Sequence, residues 1–292
     1  MSDCCPLSSP APETTAADAG DRQDRHRQGV REAYANVARA DAAGIGCGIG
    51  AGCCGTSDDV AINTIISTRL GYSAADRDQA PSGADMGLGC GNPKAIAALS
   101  PGEVVVDLGA GGGFDCFLAA REVGRSGRVI GVDMTPDMLS KARANALKGM
   151  FENVEFRLGE IEHLPVADQT ADVIISNCVI NLSPDKAQVF REAYRVLKPG
   201  GRLAISDVVA TAELPEAMRN SPELIAGCMG NAALIGDLEQ MIEAAGFERI
   251  RIEAKDESKE FIREWAPGHN VTDFVVSATI EAVKPPGGRS SG

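Results

Sequence analysis

Along the middle of the chain, short apolar runs alternate with segments in which apolar residues recur at helical spacing. Short apolar runs rich in β-branched residues are typical of buried strands. Such runs predict strands over 103–108, 128–134, 153–158, 171–178 and 201–208. The segments between them have helical periodicity bounded by Gly or Pro, which predicts helices over 115–123, 136–148 and 185–197. This alternation indicates a parallel sheet with helices on both faces.

The pattern changes after residue 210. Two helical segments, near 215–230 and 237–245, precede two apolar runs that predict strands over 248–256 and 272–284. These runs bring the expected sheet to seven strands. The insertion between the fifth and sixth strands lies where substrate-recognition structure is often added.

The N-terminal part of the chain has one clear helical pattern. Apolar residues at helical spacing predict an amphipathic helix over 28–40, whereas residues 1–27 lack periodicity and are predicted to be a disordered leader. Cys47, Cys53 and Cys54 follow in a glycine-rich segment, which is predicted to be an irregular loop.

Smaller elements connect this loop to the sheet. Helices are predicted from Asp58 to about Leu70 and from Lys94 to Leu99. Residues 285–292 are expected to be a disordered tail.

Composition narrows the class of protein. The 292 residues carry a formal net charge of -13 and only 4% aromatic side chains, which argues against nucleic acid or an anionic membrane as partner. No stretch approaches the ~20 apolar residues that span a bilayer, and the first thirty residues lack the apolar core of a signal peptide, so a cytoplasmic protein is predicted. In that compartment nine cysteines indicate reactive or ligand-binding thiols rather than a disulfide framework.

A glycine-rich loop follows the first predicted strand and leads into a helix. Bare glycines let a ligand approach the backbone and expose its N–H donors, so this junction indicates a nucleotide-type site. Phe114 stands where a dinucleotide fingerprint has its third glycine, and no Gly-Lys-Ser/Thr ending follows. The spacing of Asp107, Gly109, Gly111 and Gly113 instead resembles the S-adenosylmethionine loop of class I methyltransferases.

That resemblance implies further cofactor contacts at the ends of the next strands. Asp133 closes the second strand at the spacing of an acid that holds ribose hydroxyls. Glu160 and the backbone N–H of Ile161 follow the third strand, where the adenine amino group and a ring nitrogen are bound. Met134 and Asn177 are assigned to the same cofactor site.

Three cysteines occupy positions that are expected to lie near the transferable methyl group of the cofactor. Cys178 stands at the end of the fourth strand, Cys228 in the insertion that should cover the cavity, and Cys90 in a glycine-rich loop before the first strand. A single buried cysteine most often acts as a small hydrophobe, and this alternative stays open for each residue taken alone.

Longer segments around these cysteines resemble the arsenite S-adenosylmethionine methyltransferase family. Segments 89–93, 127–134, 176–186 and 228–230 carry the resemblance, which extends over about 28–284, and residues 176–182 are its highly specific part. It implies an α/β, Rossmann-like class I methyltransferase fold with a seven-stranded, mostly parallel sheet whose last strand is antiparallel. To this fold it adds an N-terminal cysteine-containing segment and a C-terminal substrate-binding region.

The resemblance also implies a division of the chain. Residues 28–75 would form the N-terminal helical and cysteine-loop segment, and residues 76–210 the S-adenosylmethionine-binding domain. Residues 211–284 would form an arsenic-binding region that completes the sheet.

By the same resemblance, Cys178 and Cys228 would be the thiolates that hold trivalent arsenic, and Cys90 the third thiol. A further cysteine of the N-terminal cluster, Cys53 or Cys54, would join a thiol relay. Methyl transfer oxidises arsenic formally, and a disulfide formed in reducing it would need an external reductant of the thioredoxin or glutathione type.

Arsenite or methylarsenite would be the substrate, and a monomer is the default expectation. Two other functions remain open at this stage. One is a methyltransferase acting on carbon, nitrogen or oxygen of a small metabolite, and the other is a non-catalytic arsenic-sequestering protein. Fold alone does not separate these alternatives.

Overall fold

The computed structural model describes residues 16–42, 58–266 and 268–287. Its strands are β1 Val104–Leu108, β2 Arg128–Asp133, β3 Val154–Leu158, β4 Ala171–Asn177, β5 Leu197–Ala210, β6 Glu248–Lys255 and β7 Val275–Val283. Its helices are α1 Ala16–Ala42, α2 Asp58–Arg69, α3 Ala74–Gln79, α4 Pro93–Ala97, α5 Phe114–Val123, α6 Pro136–Gly149, α7 Lys186–Val196, α8 Glu216–Arg219, α9 Pro222–Ala226, α10 Ile235–Ala244 and α11 Lys259–Trp265.

The seven strands form one sheet in the order β3-β2-β1-β4-β5-β7-β6. The pairs from β3 to β5 are parallel, whereas β7 lies antiparallel between β5 and β6. The central strands are apolar on both faces because helices cover both; Val105 and Val106, which point to opposite faces, are both fully buried. The predicted seven-stranded sheet and its antiparallel last strand are confirmed.

The strand order shows at which edge of the sheet a ligand would bind. Successive crossovers proceed outward from β1 in one direction through β2 and β3, and in the other through β4 and β5. A crevice therefore opens beyond the carboxyl ends of β1 and β4, where open α/β sheets bind ligands. The glycine loop after β1 and Cys178 after β4 both lie at this edge.

Helix α1 is longer than the apolar pattern predicts. It begins at Ala16, so the prediction of a disordered leader is wrong for residues 16–27, and residues 1–15 lie outside the described part. The first turns are polar and are held by polar contacts, such as the ion pair of Arg25 with Asp21 (2.5 Å). Apolar periodicity cannot detect a helix stabilised in this way.

The segment after β5 also differs from its prediction. The helix expected over 215–230 is two short helices, α8 and α9, because Ser221 caps a new helix that starts at Pro222. Helices α3 and α11 were not predicted from the sequence. Among the described residues, no helix combines the length and the apolar character needed to cross a membrane.

Candidate active site

A cavity of about 360 Å³ opens at the carboxyl edge of the sheet. Its walls are the glycine loop, the ends of β2 and β4, the segment after β3 and the turn after α9, and helix α1 lies across it. The volume is within the range of about 300–1,000 Å³ that small-molecule sites occupy. The expected cofactor residues that line it are Asp107, Gly109, Gly111, Asp133, Met134, Ile161 and Asn177.

The glycine loop is tied to the end of β2 through Asp133. This carboxylate accepts the N–H of Gly111 at 2.9 Å and the N–H of Thr135 at 2.8 Å. Gly109 has a φ of +71°, and a Cβ there would lie 2.4 Å from Val179, so only glycine fits this turn. Around Gly111 the space is open, with nothing within 4 Å of a Cβ position.

Two of the expected cofactor residues do not line the cavity. Gly113 is the N-cap of α5 and packs against Phe117, so its role is in the turn rather than in ligand contact. The Glu160 carboxylate lies 3.1 Å from an Arg31 nitrogen and 3.4 Å from the Arg27 Nε, outside the cavity lining. The adenine contact of Glu160 therefore stays a prediction, and in this structure the carboxylate is paired with two arginines of α1.

The three expected thiols converge at the end of β4. The Cys228 thiol donates to the carbonyl oxygen of Cys178 at 2.6 Å, and the Cys178 thiol interacts with the thiols of both Cys90 and Cys228. Sulfur atoms of Cys90 and Cys178 lie within 4.8 Å of each other and of a carboxylate oxygen of Asp207. We call Cys90, Cys178 and Cys228 the thiol cluster; all three are buried.

Both cavity-lining cysteines have unusual backbone conformations. Cys178 has a φ of +59° and Cys228 a φ of +63°, the left-handed region that non-glycine residues rarely occupy. Such strain persists only where the surrounding structure imposes it, and it is concentrated at functional sites. Here the two strained residues, Cys178 and Cys228, come from separate elements and lie in contact with each other.

Burial keeps the cluster thiols protonated. It raises the pKa of Cys90 to about 11, and contact with Cys178 together with burial raises the pKa of Cys228 well above its ordinary value. The contact with Cys228 lowers the pKa of Cys178. The contact with Cys90 and burial raise it by more, so the pKa lies well above its ordinary value. The free cluster is therefore a set of neutral thiols.

Asn177 holds the Cys90 loop against the strand ends. Its Oδ1 accepts the Cys90 N–H at 2.9 Å, and its Nδ2 donates to the Gly91 carbonyl at 2.9 Å and to the Tyr72 hydroxyl at 3.0 Å. A Cβ at Gly89 would lie 2.6 Å from the Asn177 amide nitrogen, so the loop approaches as closely as glycine permits. Asn177 lines the cavity, but its amide is engaged in positioning this loop.

Replacing Asn177 by alanine should lower stability by roughly 2–4 kcal/mol, because the Cys90 N–H and the Gly91 carbonyl lose their partner. It should also weaken at least tenfold the binding of arsenite, the ligand that the sequence resemblance implies. Asn153→Ala is the matched control, since its Nδ2 bonds two backbone carbonyls far from the cavity. Titration calorimetry and urea denaturation measure the two effects. Equal arsenite affinity in both variants would contradict the positioning role.

Sequence reasoning missed several polar groups around the site. Asp115 accepts the Tyr72 hydroxyl at 2.6 Å, and burial raises its pKa to about 6. Asp207 is buried beside the thiols, accepts the N–H groups of Ile180 and Val208, and has its pKa raised to about 6 by burial. The only signal in the sequence was that each of these acids lies at an element end on the functional side.

Tyr34 and Lys186 were also missed. Tyr34 comes from α1, and burial followed by the neighbouring thiols raises its pKa well above the ordinary value. Lys186 is buried at the first turn of α7, near Asp207 and Cys228, and desolvation lowers its pKa to about 8. Lys186 ends the segment 176–186 that carries the resemblance, but no pattern in the sequence indicated that either side chain would lie beside the thiols.

The buried Lys186 should destabilise the free protein at neutral pH. Its folded pKa of about 8 lies below the unfolded value of about 10.4, so between these values the unfolded chain binds more protons and stability rises with pH. Lys186→Met should therefore be more stable than the parent at pH 7 by up to about 3 kcal/mol. This advantage should disappear by about pH 10.4. Denaturation at both pH values tests it, and a pH-independent difference would contradict it.

Among the described residues, one further cysteine stands apart from the cluster. Cys116 is buried under the glycine loop, where its thiol donates to Asp107 at 3.0 Å. Cys53 and Cys54, expected to join a relay, lie outside the described residues, as does Cys47.

Comparison with known proteins places this geometry among methyltransferases. A family model described as a methyltransferase domain matches residues 99–246. An arsenite methyltransferase of Halobacterium salinarum is 54% identical over 278 residues, which cover 94% of this chain and 70% of that protein. An arsenite methyltransferase of Aquipseudomonas alcaligenes is 47% identical over 171 residues, 56% of this chain and 49% of that protein.

The fold comparison agrees. A crystal structure of an arsenic(III) S-adenosylmethionine methyltransferase from Chlamydomonas reinhardtii superposes with a TM-score of 0.58 at 36% identity, over 76% of this chain and 74% of that chain. A phosphoethanolamine N-methyltransferase 2 from Haemonchus contortus superposes with a TM-score of 0.55 at 22% identity, over 66% of this chain and 52% of that chain, which shows a shared fold alone.

Proposed function

Because the chain belongs to the arsenite methyltransferase family of S-adenosylmethionine-dependent enzymes, we propose that it methylates trivalent arsenic held by the thiol cluster. The observation that carries this proposal is the convergence of Cys90, Cys178 and Cys228 at the edge of the cofactor cavity. Trivalent arsenic is soft and thiophilic, so three buried sulfurs suit it far better than the oxygen ligands that hard cations select.

Neutral thiols suit the loading step. Arsenite carries three hydroxyl groups, and each As–S bond forms as a thiol replaces one hydroxyl, with the thiol proton leaving in a water molecule. No thiolate has to exist beforehand, so the raised pKa values of the cluster are no obstacle. Three sulfurs leave the arsenic lone pair free for bond formation.

The cavity fits S-adenosylmethionine. Gly109 and Gly111 leave the loop backbone bare, and a side chain at Gly109 would collide with Val179. Asp107, Asp133, Met134, Ile161 and Asn177 line the cavity and would hold the cofactor. When bound, it supplies an electrophilic methyl group on a sulfonium.

The contribution of the protein is mainly orientation. Reacting atoms react fastest when held about 3–3.5 Å apart in line. Cys178 and Cys228 line the same cavity as the cofactor residues, which would bring an arsenic lone pair toward the methyl. Asn177 contacts both regions, because it lines the cavity and holds Cys90 through the backbone.

A thiol relay completes the proposal. Transfer of a methyl cation to the lone pair raises arsenic formally from the trivalent to the pentavalent state. Two thiolates can return two electrons by forming a disulfide, which a thioredoxin- or glutathione-type reductant then reduces. Cys90 with Cys53 or Cys54 is the expected pair, and the close approach of Cys90 to Cys178 supports the participation of Cys90.

A turnover assay with arsenite, S-adenosylmethionine and a thiol reductant tests the function, with arsenic species separated and counted. Methylated arsenic formed in proportion to enzyme would support it. Arsenite binding without methylated product would indicate a sequestering protein. Neither binding nor product would indicate a methyltransferase for another small molecule.

A further inference from the structure

Helix α1 is fastened across the cavity by polar contacts at several points. His26 Nε2 donates to the Leu182 carbonyl at 3.0 Å, and Arg27 Nε donates to the Glu162 carboxylate at 3.3 Å. Toward its other end, Arg39 donates to the Asp137 carboxylate at 2.9 Å. Apolar residues between these contacts line the cavity, so α1 places one helix face over the site.

Tyr34 is the residue of this face that reaches the thiol cluster. Its ring packs against the buried group that contains Cys178 and Cys228. Its hydroxyl donates to the Ala226 carbonyl at 3.2 Å, two residues before Cys228, and Tyr34 and Cys228 line the same cavity.

The hydrogen bonds of Cys228 must change when arsenic binds. In the free protein its thiol is a donor, to the Cys178 carbonyl at 2.6 Å. Formation of an As–S bond removes that proton, because it leaves with an arsenite hydroxyl as water. The sulfur is then only an acceptor, and Tyr34 has the hydroxyl that can turn from the long Ala226 bond to the sulfur.

We propose that Tyr34 is a positioning residue that donates a hydrogen bond to the arsenic-bound sulfur of Cys228, so that docking of helix α1 and loading of arsenic stabilise each other. This inference rests on the proposed arsenic site and extends it to an element outside the sheet. The hydrogen bond holds the Cys228 sulfur, and with it the arsenic, in a fixed orientation toward the cavity.

Tyr34→Phe tests the proposal because it removes one oxygen and keeps the ring that packs α1. Tyr194→Phe is the matched control, since that ring packs against Phe247 and neither residue lines the cavity. Full-length parent and variants are compared by arsenite Kd, by S-adenosylmethionine Kd and by initial rates over a range of arsenite concentrations.

We expect Tyr34→Phe to raise both the Kd and the KM for arsenite about tenfold, the scale of losing one hydrogen bond to the arsenic-bound sulfur. The S-adenosylmethionine Kd should stay within about twofold, and Tyr194→Phe should match the parent in all three measurements. An arsenite Kd of Tyr34→Phe within twofold of the parent would overturn the proposal.

Two further outcomes are separable. Equal losses of arsenite and cofactor affinity in Tyr34→Phe would mean that the hydroxyl only holds α1 in place, which also overturns the proposal. If the parent itself neither binds nor methylates arsenite, the proposed function fails, and that failure is visible before any variant is compared.

Discussion

Replacing Cys178 by serine is expected to reduce methylation of arsenite by at least roughly 10³-fold, the scale of removing one member of a group that acts as a unit. The hydroxyl keeps the size of the side chain but is a hard ligand that soft arsenic binds poorly. Cys228→Ser should behave in the same way, because both thiols line the cavity. Arsenic speciation after incubation with S-adenosylmethionine and a thiol reductant measures the loss.

Cys116→Ser is the control for this result. Cys116 is as buried as the cluster thiols, but its thiol faces Asp107 under the glycine loop. The variant should bind arsenite with the parental stoichiometry, whereas Cys178→Ser should not. Full activity on arsenite in either Cys178→Ser or Cys228→Ser would refute the assignment of these thiols.

Gly109→Ala is expected to be the most damaging small substitution in the cofactor loop, with a stability loss of roughly 2–5 kcal/mol. The left-handed conformation costs a non-glycine residue about 1–2 kcal/mol, and overpacking adds about 1–3 kcal/mol. The overpacking arises because the new methyl would lie 2.4 and 2.6 Å from the two methyl carbons of Val179. Relief of this clash would displace Val179, the neighbour of Cys178. Cofactor affinity should therefore fall together with stability.

Gly111→Ala separates the two causes. Gly111 also has a positive φ, of +49°, but nothing lies within 4 Å of its Cβ position. This variant should lose only about 1–2 kcal/mol. Urea denaturation and calorimetric titration with S-adenosylmethionine compare the pair, and equal losses of stability would show that the contact with Val179 is unimportant.

The strained conformations of Cys178 and Cys228 connect these predictions. Each cysteine follows the end of an element, β4 or α9, and each has a left-handed backbone conformation. Asp207 constrains the turn after Cys178, since its carboxylate accepts the N–H of Ile180 and the side-chain amide of Asn181. The stability of the surrounding structure thus compensates for the strain at two residues whose thiols meet at one point.

Local patterns were sufficient for the sheet and for most site residues. The strand runs, the glycine loop and Asp133 are contiguous or closely spaced signals, so the sequence predicted the edge at which the cofactor residues meet. The resemblance assigned Cys90, Cys178 and Cys228, and the structure brings these three together as expected. The assignment of Cys53 or Cys54 stays a prediction.

Other features depended on contacts between distant segments. Glu160 carries the residue type and position of an adenine ligand, and its carboxylate forms ion pairs with Arg27 and Arg31 of α1 that the sequence did not predict. Arg31 and Glu160 are 129 positions apart, and Arg27 and Glu162 are 135 positions apart. No pattern within the loop after β3 could reveal partners at such a distance along the chain.

The sequence by itself determined the sheet, its order of elements and the chemical types present at its functional edge, because strand periodicity and glycine turns are local properties of the chain. Only the tertiary structure decided the extent of α1 and the positions of Tyr34, Lys186 and Asp207 beside the thiol cluster. These depend on which polar groups meet across the cavity once the apolar faces are buried. Charge pairing and hydrogen bonding of this kind are long-range in sequence and short-range in space.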